Sequence, residues 1–491
     1  MSTTGIVLLC VFVPLGTLLL FMILRTVFTK RKDLEPQKFE PIEFDKDVLA
    51  DHLSKAIKIP TVTVVKEGDS YQPFDDYHKF LEKTYPEIFK IAEVNVIHDH
   101  SLVIKIQGSD ENLLPAAFLA HQDVVPAPKE GWEHDPFSGD IEGGFVHGRG
   151  SQDMKSQMIA NLEGCEALLK QDRKPKRTIY FCFGHDEEYT GKNGAKYIVQ
   201  WLYEKNIRLE FVFDEGGTVL DVNNLGSKKD MKLVDGKLAL IGTTEKGYVD
   251  YVLTSEIPGG HASAPESKSA VDTLSEAIYM LSKNPMKAYW SKPVKELFKT
   301  VAPYTHPLIK FVLVNRDILS PLLKFGLLKV SIGSSIMRTT FAFTQFKGAD
   351  SPNVIPPKAE AVINCRINIG ENQEQVEKYM QKVVGKNIKI SKLHAGFDPS
   401  PVSDITSAPY EVITRSILEV FPDFVPAPYP FIAATDSKYY YKVCDNVFRF
   451  TPFEVTVEDQ HRIHALNERC NINSLLKATQ FFARLLENSC F

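Results

Sequence analysis

Residues 118–126 read FLAHQDVVP. The run before His121 has the composition of a buried strand, yet it ends on an imidazole and, two residues on, the carboxylate of Asp123. Burying either group costs free energy unless it meets a partner. The stretch therefore predicts a core strand whose carboxyl end opens on a polar site. The pattern recurs downstream, where 178–183 runs into His185, Asp186, Glu187 and Glu188, and 211–213 into Asp214 and Glu215. In open α/β sheets ligands bind beyond the carboxyl ends of the strands, so these groups should converge on one place.

Strand-like runs at 102–106, 116–120, 178–183 and 211–213 alternate with helix-like runs at 156–170 and 194–205. That alternation predicts an α/β fold with a mainly parallel sheet. The pattern then shifts to strand 248–253, helix 270–281, strand 361–369 and helix 373–384, which reads as a small α+β unit inserted into a larger domain. At 491 residues the chain exceeds what one hydrophobic core usually supports. The expected division is a catalytic domain over 46–242 and 395–491, and an inserted unit over 243–394 with an apolar extension at 296–345. Within that extension, PLIKFVLVNRDILSPLLKFGLL at 307–328 is broken by charges and by Pro321, so it should not span a bilayer. It reads either as amphipathic helices covering the insertion's own core, or as a wall for a long apolar ligand or a surface resting on a membrane.

Composition excludes little except a nucleic-acid partner: the formal charge is −5 and no basic stripe with interleaved aromatics occurs. The N-terminus is the outlier. Residues 5–24 carry no charge over 20 positions, the length a helix needs to cross the hydrocarbon core. Residues 1–32 are read as a hydrophobic anchor or signal segment, and 33–45, rich in charge and proline, as a linker. The protein is thus expected at a membrane through one N-terminal span, or secreted or lumenal if the segment is cleaved. Arg25, Lys30, Arg31 and Lys32 after the span favour a cytoplasmic flank, and no N-x-S/T sequon argues for a lumenal one. Seven cysteines form no C-x-x-C pair; pairing among Cys365, Cys444, Cys470 and Cys490 stays open.

Singly, each polar motif has an ordinary explanation: a hydrogen-bonded turn for His-x-Asp, a solvated loop for Glu187 and Glu188, a helix cap for Asp153. Jointly they do not, because clustered carboxylates repel one another and drift toward protonation. A divalent cation removes that conflict. Nitrogen and oxygen donors without thiolate suit zinc, with manganese or cobalt as substitutes, and two ions sharing a carboxylate would account for the number of acids. His461 and His464 near the C-terminus stand where either could complete a ligand set.

The ordered series HQDVVP, GRGSQDMK, DEE, FDEGG, GGHASAP, SPNVIP with NCRINIG, and IHALNER resembles the co-catalytic zinc metallopeptidases that include aminoacylase-1, glutamate carboxypeptidase and carboxypeptidase S. The similarity runs from about residue 45 to the end and looks strongest toward the branch of N-fatty-acyl-amino acid synthase/hydrolases. The resemblance implies a zinc-peptidase catalytic domain with an inserted lid/dimerisation domain, so that pairing of two copies through the lid is open. It implies two zinc ions per subunit: His121 and Asp214 on one, Glu188 and His464 on the other, Asp153 bridging. Asp123 would orient His121 through its far nitrogen, and Glu187 would be the general base that takes a proton from the attacking water and passes it to the leaving amine. His261 and Asn353 would donate to the developing oxyanion, and Arg366 would clamp a substrate carboxylate. Two departures stand out, His185 before DEE and AATDS at 433–437, where relatives carry a small residue and a glycine-richer turn respectively.

The reading these features support is a dizinc amidohydrolase that cleaves, and in reverse forms, the amide of N-fatty-acyl amino acids beside a free α-carboxylate. A carboxypeptidase acting on small peptides is the alternative among enzymes. A membrane-tethered binding protein that has lost catalysis is the alternative from another class.

Overall fold

The computed structural model of the chain describes residues 3–31, 39–63, 70–224 and 233–491. Residues 33–38 of the expected linker and the side chain of Cys10 lie outside what is described. The chain divides into two units, Met1–Lys30 with Thr244–Val402 and Pro430–Ala434, and Arg31–Thr243 with Ser403–Tyr429 and Thr435–Phe491.

The larger unit is built on a nine-stranded mixed sheet. Four neighbouring strands, Ile179–Gly184, Ala116–His121, Phe211–Asp214 and Val447–Arg449, run parallel at its centre. Glu93–Ile97 and Ser101–Ile106 extend it antiparallel on one side, Lys237–Glu245 on the other. Every residue of Ala116–His121 is buried, because both faces of the sheet are covered. Phe118, Ala120, Phe181 and Phe213 pack toward helices Lys155–Lys170 and Ile472–Cys490, while Ala117, Leu119, Cys182 and Val212 pack toward helix Ala195–Glu204. Coverage of both faces is why these strands read as unbroken apolar runs rather than as alternating ones. The two long helices approach closely at Gly164, where a Cβ would lie 2.7 Å from the backbone nitrogen of Ala483.

The smaller unit carries a four-stranded antiparallel sheet in the order Thr340–Lys347, Lys358–Ile367, Gly247–Glu256, Lys389–Lys392. Helices Ala270–Lys283 and Gln373–Val384, each opened by a reciprocal capping box, supply Leu274, Leu281, Val376 and Met380 to a core with Tyr251, Leu253, Ile363 and Cys365. The apolar extension folds as short helices Pro307–Val314, Ser320–Leu327 and Ser331–Met337, with Ala302, Leu313 and Val314 forming a small core of their own. Helix Thr3–Phe28 packs against Pro307–Val314. Cys165, Cys182, Cys365, Cys444, Cys470 and Cys490 are all buried free thiols.

Candidate metal centre

The site lies at the carboxyl edge of the parallel strands of the larger unit. His121 ends its strand with only 1% of its side chain exposed. Its Nδ1 lies 2.9 Å from the backbone carbonyl of Asp123 and 3.5 Å from that residue's carboxylate. A carbonyl can only accept, so Nδ1 carries the proton and Nε2 is left as the donor of a lone pair. Nε2 faces Asp153 Oδ1 at 3.1 Å and Glu215 Oε1 at 3.4 Å. The other oxygen of Asp153 lies 3.0 Å from His464 Nε2, which in turn meets Glu188 Oε2 at 3.1 Å. Asp153 thus stands between two imidazoles. Ligand atoms of His121, Asp153 and Glu188 lie within 4.8 Å of one another, as do those of His121, Glu187 and Glu215.

The surroundings explain how these groups are held. Asp123 is fully buried, and its carboxylate accepts from the backbone N–H groups of Glu187 and Glu188 at 3.1 and 3.2 Å and from the Thr63 hydroxyl at 2.7 Å. It therefore fixes the turn that presents both glutamates as well as flanking His121. Asp186 accepts from the N–H groups of Asn193 and Gly194 and anchors the following turn. Glu468, buried against Arg149 at 2.6 Å, accepts from the N–H groups of Gln152 and Asp153 and so positions the loop that carries Asp153. His464 sits at φ 60°, a left-handed conformation that non-glycine residues seldom adopt, consistent with a side chain held in place at a working site.

The electrostatics point to a cation. Burial pushes Glu187, Glu188 and Glu215 up, Glu215 to about 7, with neighbouring carboxylates adding to the effect at each. Burial would raise Asp153 too, but the imidazoles of His121 and His464 hold it well below the usual carboxylate range. Hydrogen bonds to Asp153 and Glu188 lift His464 to about 10. Protons thus neutralise a cluster whose donor chemistry, imidazole nitrogen and carboxylate oxygen, suits zinc-like ions. The residues present fit such an ion.

His121, Asp153, Glu187, Glu188 and His464 are brought together as expected from sequence. Asp214 is not: its carboxylate accepts from the N–H groups of Glu215 and Ser437 at 2.8 and 3.0 Å, and the adjacent Glu215 reaches His121 instead. His461 is exposed and outside the cluster. His185 is buried, with its Nδ1 2.7 Å from the Ser101 hydroxyl and its ring edge-on to Tyr71, Phe74 and His100, a packed residue rather than a ligand. In the AATDS stretch, Asp436 is buried with no hydrogen-bond partner for its carboxyl among the described residues, and burial raises it well above the usual range. In the smaller unit, His261 pairs with Val354 and the N–H of Ala262 bonds the carbonyl of Asn353, which places His261 and Asn353 side by side. Arg366 stacks over Tyr248 at 4.7 Å, and no carboxylate pairs with it among the described residues. Glu215, Arg149 and Glu468 are the additions that sequence reasoning did not assign, although all three lie in the quoted motifs.

A set of acids and imidazoles, buried at His121 and opening to solvent at His464, around a general-base candidate is the equipment of a hydrolase that works with a metal ion. The sequence model for peptidase family M20/M25/M40 matches residues 117–488. The N-fatty-acyl-amino acid synthase/hydrolase PM20D1 of Xenopus tropicalis is 35% identical over 92% of this chain and 87% of its own length. The probable carboxypeptidase S-like 2 of Dictyostelium discoideum is 34% identical over 96% and 92%. Among solved structures, the metallo-carboxypeptidase Sso-CP2 of Sulfolobus solfataricus superposes with a TM-score of 0.66 at 19% identity, covering 89% of this chain and 98% of that one. The chain belongs to peptidase family M20/M25/M40, and it is a metal-dependent hydrolase.

Proposed function

We propose that the protein is a dizinc amidohydrolase acting on N-fatty-acyl amino acids. The observation that carries the proposal is Asp153, whose two oxygens face His121 on one side and His464 on the other, with Glu215 and Glu188 completing the two sets. His121 and Glu215 would hold one ion, Glu188 and His464 the other. Glu215 takes the place that the family resemblance gives to Asp214, which keeps the adjoining backbone in register. When bound, such ions polarise a carbonyl and acidify water.

The chain's own residues supply the rest. Glu187, already pushed up by burial, takes the proton of the attacking water and returns it to the leaving amine. Asp123 aims Glu187 and Glu188 through their backbone N–H groups. The roles that the resemblance gives His261 and Asn353, donation to the oxyanion, and Arg366, binding of the substrate carboxylate, belong to the same proposal. Cleavage and condensation share one transition state, so the enzyme would also form the amide where fatty acid and amino acid are abundant. The fatty-acyl preference is supported by the PM20D1 relative's name and by the apolar N-terminal helix, which would keep the enzyme where lipids are. The helix is read as a retained membrane anchor, and pairing through the smaller unit stays part of the proposal.

Oleoyl-phenylalanine and a dipeptide, offered separately to the full-length protein, test the substrate class. Faster turnover of the oleoyl compound is expected. A dipeptide preferred by orders of magnitude would favour the carboxypeptidase reading, which the Dictyostelium relative's name supports. No turnover of either would favour a binding protein.

A further inference from the structure

Beside the N-terminal helix the smaller unit contains a cavity of about 380 Å3 lined by Arg25, Trp290, Lys295, Arg316, Asp317 and Ser320. We propose that this cavity binds the phosphate-bearing headgroup of an anionic membrane lipid. The inference rests on the reading of the N-terminal helix as a retained span and is independent of the chemistry at the metal centre.

Position comes first. The apolar window Val11–Phe28 is 18 residues long, and about 27 Å of helix approaches the thickness of the hydrocarbon core. Its last turns are tied to the apolar extension. The Asn315 side chain donates to the carbonyl of Met22 at 3.2 Å and to the Thr26 hydroxyl at 3.1 Å, and Arg25 meets both oxygens of Asp317 at 2.7 and 2.8 Å. Arg25 lies three residues before the end of the window, so the cavity it lines sits within roughly 5 Å of the helix end along the axis. That is the level of lipid headgroups.

Charge and surface agree with position. Three cations face one carboxylate, and that carboxylate is already engaged by Arg25. Lys295 and Arg316 have no acidic partner among the described residues, which leaves them to meet an anion. Trp290, whose Nε1 donates to Ser320 Oγ at 2.7 Å, gives the wall the amphipathic character favoured at membrane interfaces. On the same extension Leu308 is 72% exposed and Phe325 63%, with Leu322, Val330 and Ile332 also exposed. Such side chains are costly in water and suited to the acyl boundary of a membrane.

The test uses the full-length chain extracted in detergent. Phosphatidylglycerol or phosphatidylcholine is added, and retained lipid is counted by native mass spectrometry. The wild type should retain phosphatidylglycerol preferentially, and the Lys295→Gln/Arg316→Gln double variant should retain it about thirtyfold less. Neither substituted side chain has an ion-pair partner among the described residues, so the double variant should melt where the wild type does. Equal retention of the two lipids, or unchanged retention by the double variant, would overturn the proposal. So would displacement of the lipid by inorganic phosphate, which would mark a site for a soluble anion, or an intact mass showing the protein cut after Lys30. Chelation should abolish hydrolysis and leave lipid retention unchanged, so the two readings fail separately.

Discussion

Asp214 and Glu215 are neighbours in sequence and opposites in role. At the end of a strand, successive side chains point to opposite sides, so only one of two adjacent acids can face His121. The one that does is Glu215. Glu215→Gln should therefore weaken zinc binding by at least about 100-fold, since even outer partners of metal ligands are worth 10–100-fold. Asp214→Asn should leave zinc affinity closer to wild type; competition with a chromogenic chelator reads both. Glu187→Gln should keep its metal while turnover falls by about 10²–10⁴-fold. His121 was legible because it is a costly polar group at the end of an apolar run; Asp153, Glu188 and His464, each with an ordinary explanation when taken singly, were singled out by the ordered motifs of the family resemblance. The choice between Asp214 and Glu215 was not legible, because pleat phase at a strand's last residue leaves no mark when both candidates are acids.

At the scale of elements, three packing relations carry predictions. Glu468 and Arg149 form a buried ion pair that also bonds the backbone leading to Asp153. Glu468→Gln strands the guanidinium and should cost about 3–5 kcal/mol in urea denaturation, with weaker metal binding besides. Gly164→Ala forces a Cβ against the backbone of the C-terminal helix, and overpacking of that kind costs about 1–3 kcal/mol. Lys246, buried, donates to the carbonyls of Ser335 and Arg338 at the end of helix Ser331–Met337. Burial pushes its ammonium down to about 7, so between there and the unfolded value the unfolded chain holds more protons. Stability contributed by this site should rise as pH climbs through that window, and Lys246→Met should flatten the rise in denaturation curves. The helix Gln373–Val384 was readable to the residue, since its capping asparagine and apolar spacing are local signals. Gly164 and Glu468 were not, because their partners lie far along the chain.

For the whole molecule, the α/β class followed from the alternation of strand-like and helix-like runs, and the four parallel strands bear it out. The antiparallel strands that flank them were not foreseeable, since strand direction depends on connections rather than on composition. The 307–328 segment shows the same limit. Its apolar character was plain, but which residues form a core and which stay exposed depends on partners elsewhere in the fold. Substrate choice belongs to this scale too. If the acyl chain is enclosed, each added methylene should raise kcat/KM roughly fourfold until the pocket is filled, measured across a series of acyl-phenylalanines.

In the proposed function the acids and imidazoles around Asp153 hold a pair of metal ions that hydrolyse an amide. Stripping the full-length protein with a chelator and titrating zinc back, while following release of phenylalanine from its oleoyl amide, tests this directly. Activity should be absent in the stripped protein and should reach its plateau at two zinc ions per chain. Turnover in the stripped protein, or a plateau at one ion, would contradict it.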